Sequence, residues 1–258
     1  MNSTAILVSS CDSFFDAWRP FAFFFRKFWP DCPYPIHLIT NELELRSNLV
    51  RAIPVGEDRG WASNMRSALQ TLDVSRVLYF QEDYFLRGPV QREQLAADFR
   101  YAIENEVDAF YFRARSELEA AFQPLNDRFG VVPVDSDGRA RCQLSLWKRE
   151  SLLSVLRDGE TAWEMESRGS ERTRSMKILS YSTRENTPIP YLMSAIVRGL
   201  WTPEALAMCD EAGVEITPRF RGTFSSNEWS QRWRRAQTRA RLRRYLSGRA
   251  TRMPVCVP

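Results

Sequence analysis

The stretch "VLYFQEDYFL", residues 77–86, is apolar and β-favouring from Val77 to Phe80, meets Gln81-Glu82-Asp83, and resumes with Tyr84-Phe85-Leu86. A short continuous apolar run of this kind reads as a strand buried on both faces, the pattern of parallel sheets. Two neighbouring carboxylates at its end then need a physical reason. Charges in dry surroundings are costly unless something neutralises them.

The flanking sequence supports the strand reading. "AILVSS" (5–10), "PIHLIT" (35–40) and "RAIPV" (51–55) are further strand candidates. Between the first two, Phe14, Trp18, Phe21, Phe25 and Phe28 recur at spacings of three and four, which predicts a helix with one aromatic face packed on a sheet. A second helix is expected from about Ser63 to Leu72, with Ser63 as its cap or as a ligand contact. This alternation predicts an α/β fold with a mostly parallel central sheet and helices on both faces. Ligands in such sheets sit beyond the carboxyl ends of the strands. Glu82 and Asp83 fall at that place. A hard divalent cation, Mg²⁺ or Mn²⁺, joined to substrate phosphates would offset their repulsion. A solvated turn is the other reading, and the tripeptide alone does not separate the two.

Composition narrows the chemistry. A chain of 258 residues, 44% of them hydrophobic, suits one large domain or one domain with a tail. No run approaches the roughly 20 apolar residues of a membrane span, and the first residues lack an export signal, so a cytoplasmic placement is expected. The five cysteines are scattered without CxxC spacing, which predicts reduced, structural thiols. The single histidine, His37, lies inside an apolar strand candidate and reads as a core or strand-end residue. A Ser/His/Asp triad or a histidine-rich metal site is therefore hard to build.

Other segments carry polar groups at strand ends. Ser9-Ser10-Cys11-Asp12 follows the first strand and is suited to a base or ribose. "GEDRGWASNMRSAL" (56–69) joins a Gly-bounded loop to a helix entry bearing Trp61 and Asn64. In the second half, "CQLSLWKRESLLSVLRDGETAWEMESRGSER" (142–172) reads as a strand, an amphipathic helix, a break at Asp158-Gly159, and then Trp163-Glu164-Met165-Glu166. A carboxylate opening a helix can be held ready as a base, or can be an ordinary acidic first turn. Residues 164 and 166 point in different directions on a helix, so only one should reach a reacting atom.

Together, "DRGWASNMRSAL", "VLYFQEDYFL", "QLSLWKRESLLSVL", "TAWEMESRGS" and "VRGLW" resemble, in order and spacing, nucleotide-sugar-dependent glycosyltransferases of the GT-A fold. The nearest likeness is to small bacterial and viral enzymes of surface polysaccharide biosynthesis. The resemblance implies a GT-A-like domain over residues 1–220 and an arginine-rich helical extension over 221–258. It implies a nucleoside-diphosphate sugar donor held by Ser9, Asp12, Trp61, Asn64, Glu82 and Asp83. Mn²⁺ or Mg²⁺ would be carried by Asp83 and Glu82, although the usual Asp-x-Asp reads Gln81-Glu82-Asp83 here. It implies a general base at Glu166 or Glu164, with the former preferred, and a glycan or lipid-linked acceptor near Trp163, Arg168 and Ser170. Arg113, Arg115, Lys177 and Arg198 are further candidates for diphosphate contact.

The C-terminal stretch differs in character. From Trp229 to Arg252 it holds nine arginines and no acids, with Trp233 and Tyr245 interleaved. Without it the formal charge of +4 would be negative. Such a helix can lie on an anionic membrane surface, pack on the body, or bind nucleic acid, the last being disfavoured because no nucleic-acid motif accompanies the arginines. A peripheral position at the inner face of the membrane would suit a lipid-linked acceptor. The competing functional reading is a non-enzymatic nucleotide- or RNA-binding protein that uses this tail. A two-metal nuclease or phosphotransferase has too few clustered acids.

Overall fold

The alternating pattern folds as the apolar runs require. The structure is a computed structural model and describes residues 3–112, 123–136, 138–183, 187–216, 220–225, 227–249 and 254–257. The chain begins with β1 (Thr4–Ser9), a short 3₁₀ turn (Asp12–Phe14), α1 (Phe15–Phe28), β2 (Ile36–Thr40), β3 (Leu45–Arg46) and β4 (Val50–Pro54). Then come α2 (Trp61–Thr71), β5 (Arg76–Gln81), β6 (Phe85–Leu86), α3 (Arg92–Glu104), β7 (Ala109–Tyr111), β8 (Gln123–Pro124) and β9 (Phe129–Val131). The second half carries β10 (Ser145–Lys148), α4 (Arg149–Val155), α5 (Ala162–Arg172), β11 (Ile178–Tyr181) and β12 (Tyr191–Leu192). It ends with β13 (Ile196–Val197), β14 (Leu200–Trp201), α6 (Pro203–Glu211), α7 (Glu228–Arg249) and β15 (Val255–Cys256).

The main sheet has the order β4-β2-β1-β5-β10-β7-β11-β9-β8. Its first four strands are parallel, and β7 is parallel to β11, while β10 runs antiparallel to both β5 and β7. That reversal has a consequence for the site. The entry to β10, residues 142–145, lies at the same end of the sheet as the carboxyl ends of β1 and β5.

Strand alternation sorts the core into two apolar layers. Ile6, Val8, Leu78 and Phe80 face α1, α3 and α6 on one side. Leu7, Val77 and Tyr79 face α2, α4 and α5 on the other. The aromatic stripe of α1 is buried at Trp18, Phe21 and Phe25, as its spacing predicts, and Phe80 meets Phe21 and Phe25 edge-on. Burying each such ring contributes roughly 1.5–3 kcal/mol. Phe14 departs from the expected stripe, because it lies on the 3₁₀ turn and faces a cavity. His37 is half-buried in β2, where burial and Arg51 lower its pKa. All five cysteines are free thiols. No helix among the described residues is long and apolar enough to cross a membrane.

The C-terminal segment is fastened to the body. Tyr245 of α7 stacks on Phe15 at 4.8 Å, Leu242 is buried, and the Thr238 hydroxyl accepts the Gly222 amide at 3.2 Å. Beyond α7, β15 pairs in parallel with β3. Packing by one face and exposure of the other are thus both true of this helix.

Candidate active site

At the carboxyl ends of β1 and β5 the chain encloses a cavity of about 250 Å³. Its wall brings together Ser9, Trp61, Asn64 and Glu82, four of the residues expected to hold a donor. Ser10, Cys11, Phe14, Asp58, Gln81 and Ala162 also line it, none of them among the residues assigned individually to the donor. For Ser10, Cys11 and Gln81 the signal was adjacency to a strand end. Asp58 belongs to the Gly-bounded loop quoted with Trp61 and Asn64, and for Ala162 no sequence pattern pointed there.

The turn after β5 decides how the two acids are used. The Tyr84 amide donates to the Gln81 carbonyl at 3.1 Å, placing Glu82 and Asp83 at the centre of a tight turn. Successive residues of such a turn point apart. Glu82, its amide still bonded to the Ser9 carbonyl at 3.3 Å, faces the cavity. Asp83 turns under it, its carbonyl accepting the Ala195 amide at 2.9 Å and its Oδ2 the Ile196 amide at 3.1 Å. Both side chains are buried, and Asp83 is not part of the cavity wall. Its second oxygen, Oδ1, is buried with no hydrogen-bond partner among the described residues.

This arrangement stores electrostatic cost. Burial pushes the Asp83 carboxyl up to about 7 against the lowering pull of the Ile196 amide. Burial and the Asp83 charge push Glu82 well above the usual carboxylate range. Arg221 is the nearest buried counter-charge, and it is bound elsewhere, in a bidentate pair with Asp16 at 2.9–3.0 Å beneath the Phe14 ring. Cys11 is pushed up to about 12 by burial, so it lines the cavity as a neutral thiol rather than a nucleophile.

Asp12 has a different task from the one expected. Its Oδ1 accepts the Asn41 amide at 2.8 Å and its Oδ2 the amides of Glu42 and Leu43 at 2.8 and 2.9 Å. The carboxylate is spent on the loop after β2 and lies outside the cavity lining. Ser63 does not cap α2 either. The helix starts two residues earlier behind Gly60, whose φ of 88° suits glycine, and the Ser63 hydroxyl accepts the Gly159 amide at 3.2 Å. Asn64 shapes the loop instead, donating to Asp58 Oδ1 at 2.8 Å.

The two glutamates of "WEMES" part company. Glu164 closes a capping box with Thr161, which lowers its pKa, and Arg168 lies 3.6 Å from it. Glu166 instead turns to the segment before β10, its Oε1 accepting the Cys142 amide at 2.7 Å, and it too lies outside the cavity lining. The Cys142 carbonyl in turn accepts from Gln81 Nε2 at 2.7 Å and from the Tyr84 hydroxyl at 3.2 Å. Gln81 also reaches the Tyr79 hydroxyl at 3.3 Å, as does Trp61 Nε1. One chain of hydrogen bonds therefore runs from α5 to the floor of the cavity.

The expected acceptor residues are less gathered. Trp163 is 82% exposed, Arg168 rests on Glu160 and Glu164, and Ser170 bonds within α5 and to the Ala140 amide, all outside the cavity lining. Lys177 precedes β11, at the opposite end of the sheet, and donates to the Asn105 carbonyl. Arg198 is exposed in the turn between β13 and β14. Arg113 and Arg115 lie outside the described residues.

The donor set can be weighed for a metal on these grounds. No group of three or more His, Cys, Asp or Glu that could hold an ion occurs among the described residues. Glu82 is the acid placed at the wall where a hard cation, which takes most of its ligands from phosphate and water in nucleotide sites, could be met, while Asp83, with its orphaned Oδ1, is turned behind that wall.

No family model matches the chain, and no curated protein does. Solved structures do. The S. aureus TarS 1–349 complex with UDP aligns over 97% of this chain and 73% of that one, at 11% identity and a TM-score of 0.50. A longer S. aureus TarS chain aligns over 73% of this chain at 11% identity and a TM-score of 0.45, and this chain spans 36% of its length. CMP:2-keto-3-deoxy-manno-octonic acid synthetase with CTP aligns over 82% and 99% of the two chains, at 8% identity and a TM-score of 0.48. At such identities the likeness to TarS, a GT-A glycosyltransferase, speaks for architecture: the protein has a GT-A-type fold.

Proposed function

We propose that the protein is a glycosyltransferase moving a sugar from a nucleoside-diphosphate sugar to a hydroxyl of a glycan or lipid-linked acceptor. The observation that carries this reading is the cavity at the carboxyl ends of β1 and β5, where Trp61 and Asn64 face Glu82. Its position is where this sheet class binds nucleotides. A structural neighbour, TarS, is known with UDP bound.

In this reading Ser9, Trp61 and Asn64 hold the donor nucleotide, with the Trp61 ring a stacking surface and the strand-end Ser9 a polar contact. Glu82 would hold Mn²⁺ or Mg²⁺ at the cavity wall, with the Asp83 carboxylate behind it adding negative charge. When bound, the ion supplies positive charge to the leaving diphosphate. Glu166 acts as general base, taking the proton of the attacking hydroxyl, so the anomeric configuration inverts. Its tie to the Cys142 amide fixes one oxygen and leaves the other for that proton. Glu164, committed to its capping box, is not assigned this role.

The test is thermal stability with UDP and Mn²⁺, together with transfer from a panel of nucleotide sugars. A bound nucleotide at a hundred times its Kd stabilises by about 2.7 kcal/mol. The expected result is a raised Tm that Glu82→Gln and Asp83→Asn reduce, with transfer or donor hydrolysis lost in both. No shift with any nucleoside diphosphate would overturn the reading.

A further inference from the structure

The face of α7 turned away from the body carries a row of exposed arginines. The helix packs by Thr238, Leu242 and Tyr245 and shows the opposite side to solvent. On that side Arg232, Arg239 and Arg243 are exposed and fall within about 40° of one another at 3.6 residues per turn. Trp233, 64% exposed, and Arg244 form a second line, with the small residues Ala236, Ala240 and Ser247 between the two. None of Arg232, Arg239, Arg243 and Arg244 is paired with a carboxylate among the described residues. A 22-residue helix gives this face a length of about 33 Å.

Its placement adds meaning. Tyr245 stacks on Phe15, the residue after Phe14, and Phe14 lines the cavity beyond β1. The cationic face is thus anchored at the end of the sheet where the cavity opens.

We propose that this outward face of α7 seats the protein on an anionic lipid surface. Unpaired arginines in a row complement a plane of negative headgroups, and an exposed indole at their level suits the interface between headgroups and acyl chains. Phosphates of a nucleic acid would also attract such a row, but they give no role to the exposed Trp233 indole beside it. The surface stands on its own observations. Its bearing on the acceptor, which would be presented from the lipid to a site at the same end of the sheet, rests on the transferase reading above.

The experiment is sedimentation of the full chain, without nucleotide, with phosphatidylcholine vesicles and with vesicles containing phosphatidylglycerol. Binding is expected to the anionic vesicles alone and to weaken with salt. Each surface arginine is expected to change the partition coefficient about fivefold, so R232E/R239E/R243E should lower it by about a hundredfold or more. These positions are exposed, so the variant should keep its Tm. Trp233→Ala should weaken binding further at constant charge. Equal binding to neutral vesicles, unchanged binding of the triple variant, or preferential capture by a duplex RNA competitor would overturn the proposal. Because the assay contains no donor, its outcome is independent of whether the cavity binds a nucleotide.

Discussion

Glu166 Oε1 and the Cys142 amide are hydrogen-bonded at 2.7 Å, joining α5 to the segment that enters β10. That segment reaches the site because β10 runs against its neighbours. The bond ties one oxygen of the proposed base to the backbone.

Glu166→Gln should therefore keep the fold, because the amide oxygen can still accept from Cys142. It removes a group able to take a proton. Transfer is expected to fall by about 10²–10⁴-fold while the Tm shift with UDP is retained. Steady-state transfer and a nucleotide titration check the two halves separately. Unchanged turnover would move the base role elsewhere.

Gln81 explains the departure from the usual acidic motif. Its Nε2 donates to the Cys142 carbonyl at 2.7 Å and to the Tyr79 hydroxyl at 3.3 Å. A carboxylate cannot donate, and it would place a third acidic group beside the buried Glu82 and Asp83. Gln81→Glu is expected to destabilise by roughly 1–3 kcal/mol, read by urea unfolding. Stability equal to the parent would show that the Tyr84 hydroxyl alone satisfies that carbonyl.

How far the residues alone disclose this site depends on range. The strand at Arg76–Gln81 was legible because an unbroken apolar run leaves one buried option, and α1 because its aromatics keep helical spacing. Strand-end rules pointed to Ser9 and Glu82, and both line the cavity. They could not distinguish Asp12 from its neighbours. Its fate is set by three amides some thirty residues away. Asp83 was likewise read with Glu82 as one unit, while a tight turn points the two apart. The capping box of Glu164 was legible as an acidic first turn, but the Cys142 partner of Glu166 was not, since a reversed strand supplies it. For α7 the arginine count gave the charge, and only the docking of Tyr245 and Thr238 tells which face is left exposed.

Arg221 and Asp16 form a buried pair under the cavity, with both side chains almost wholly excluded from solvent. The guanidinium also donates to the carbonyls of Ser13 and Gly199. Arg221→Met alone leaves the Asp16 carboxylate buried without its counter-charge, and desolvation already raises its pKa. The expected loss is about 3–5 kcal/mol. Combining it with Asp16→Leu should restore part of that loss, because removing both charges also removes their desolvation cost. Urea unfolding of the single and double variants tests the coupling. Additive losses would mean that the pair is not the source.

The loop before α5 supplies the acid limb of stability. Glu160 forms a bidentate pair with Arg172 at 3.0 and 2.7 Å, and its carbonyl accepts the Ala62 amide at 3.2 Å, tying the start of α5 to the start of α2. The hydrogen bonds from Arg172 hold the Glu160 carboxyl below its ordinary 4.5. A carboxyl depressed in the folded state binds its proton more readily when unfolded. Its contribution is therefore complete above 4.5 and is lost as pH falls through the lower folded value. Glu160→Gln should be less stable than the parent at neutral pH, with the gap in Tm closing as pH drops below 4.5. Thermal melts from pH 7 to pH 3 measure that gap. A difference that stays constant over this range would assign the effect to packing at the α2–α5 contact rather than to the ion pair.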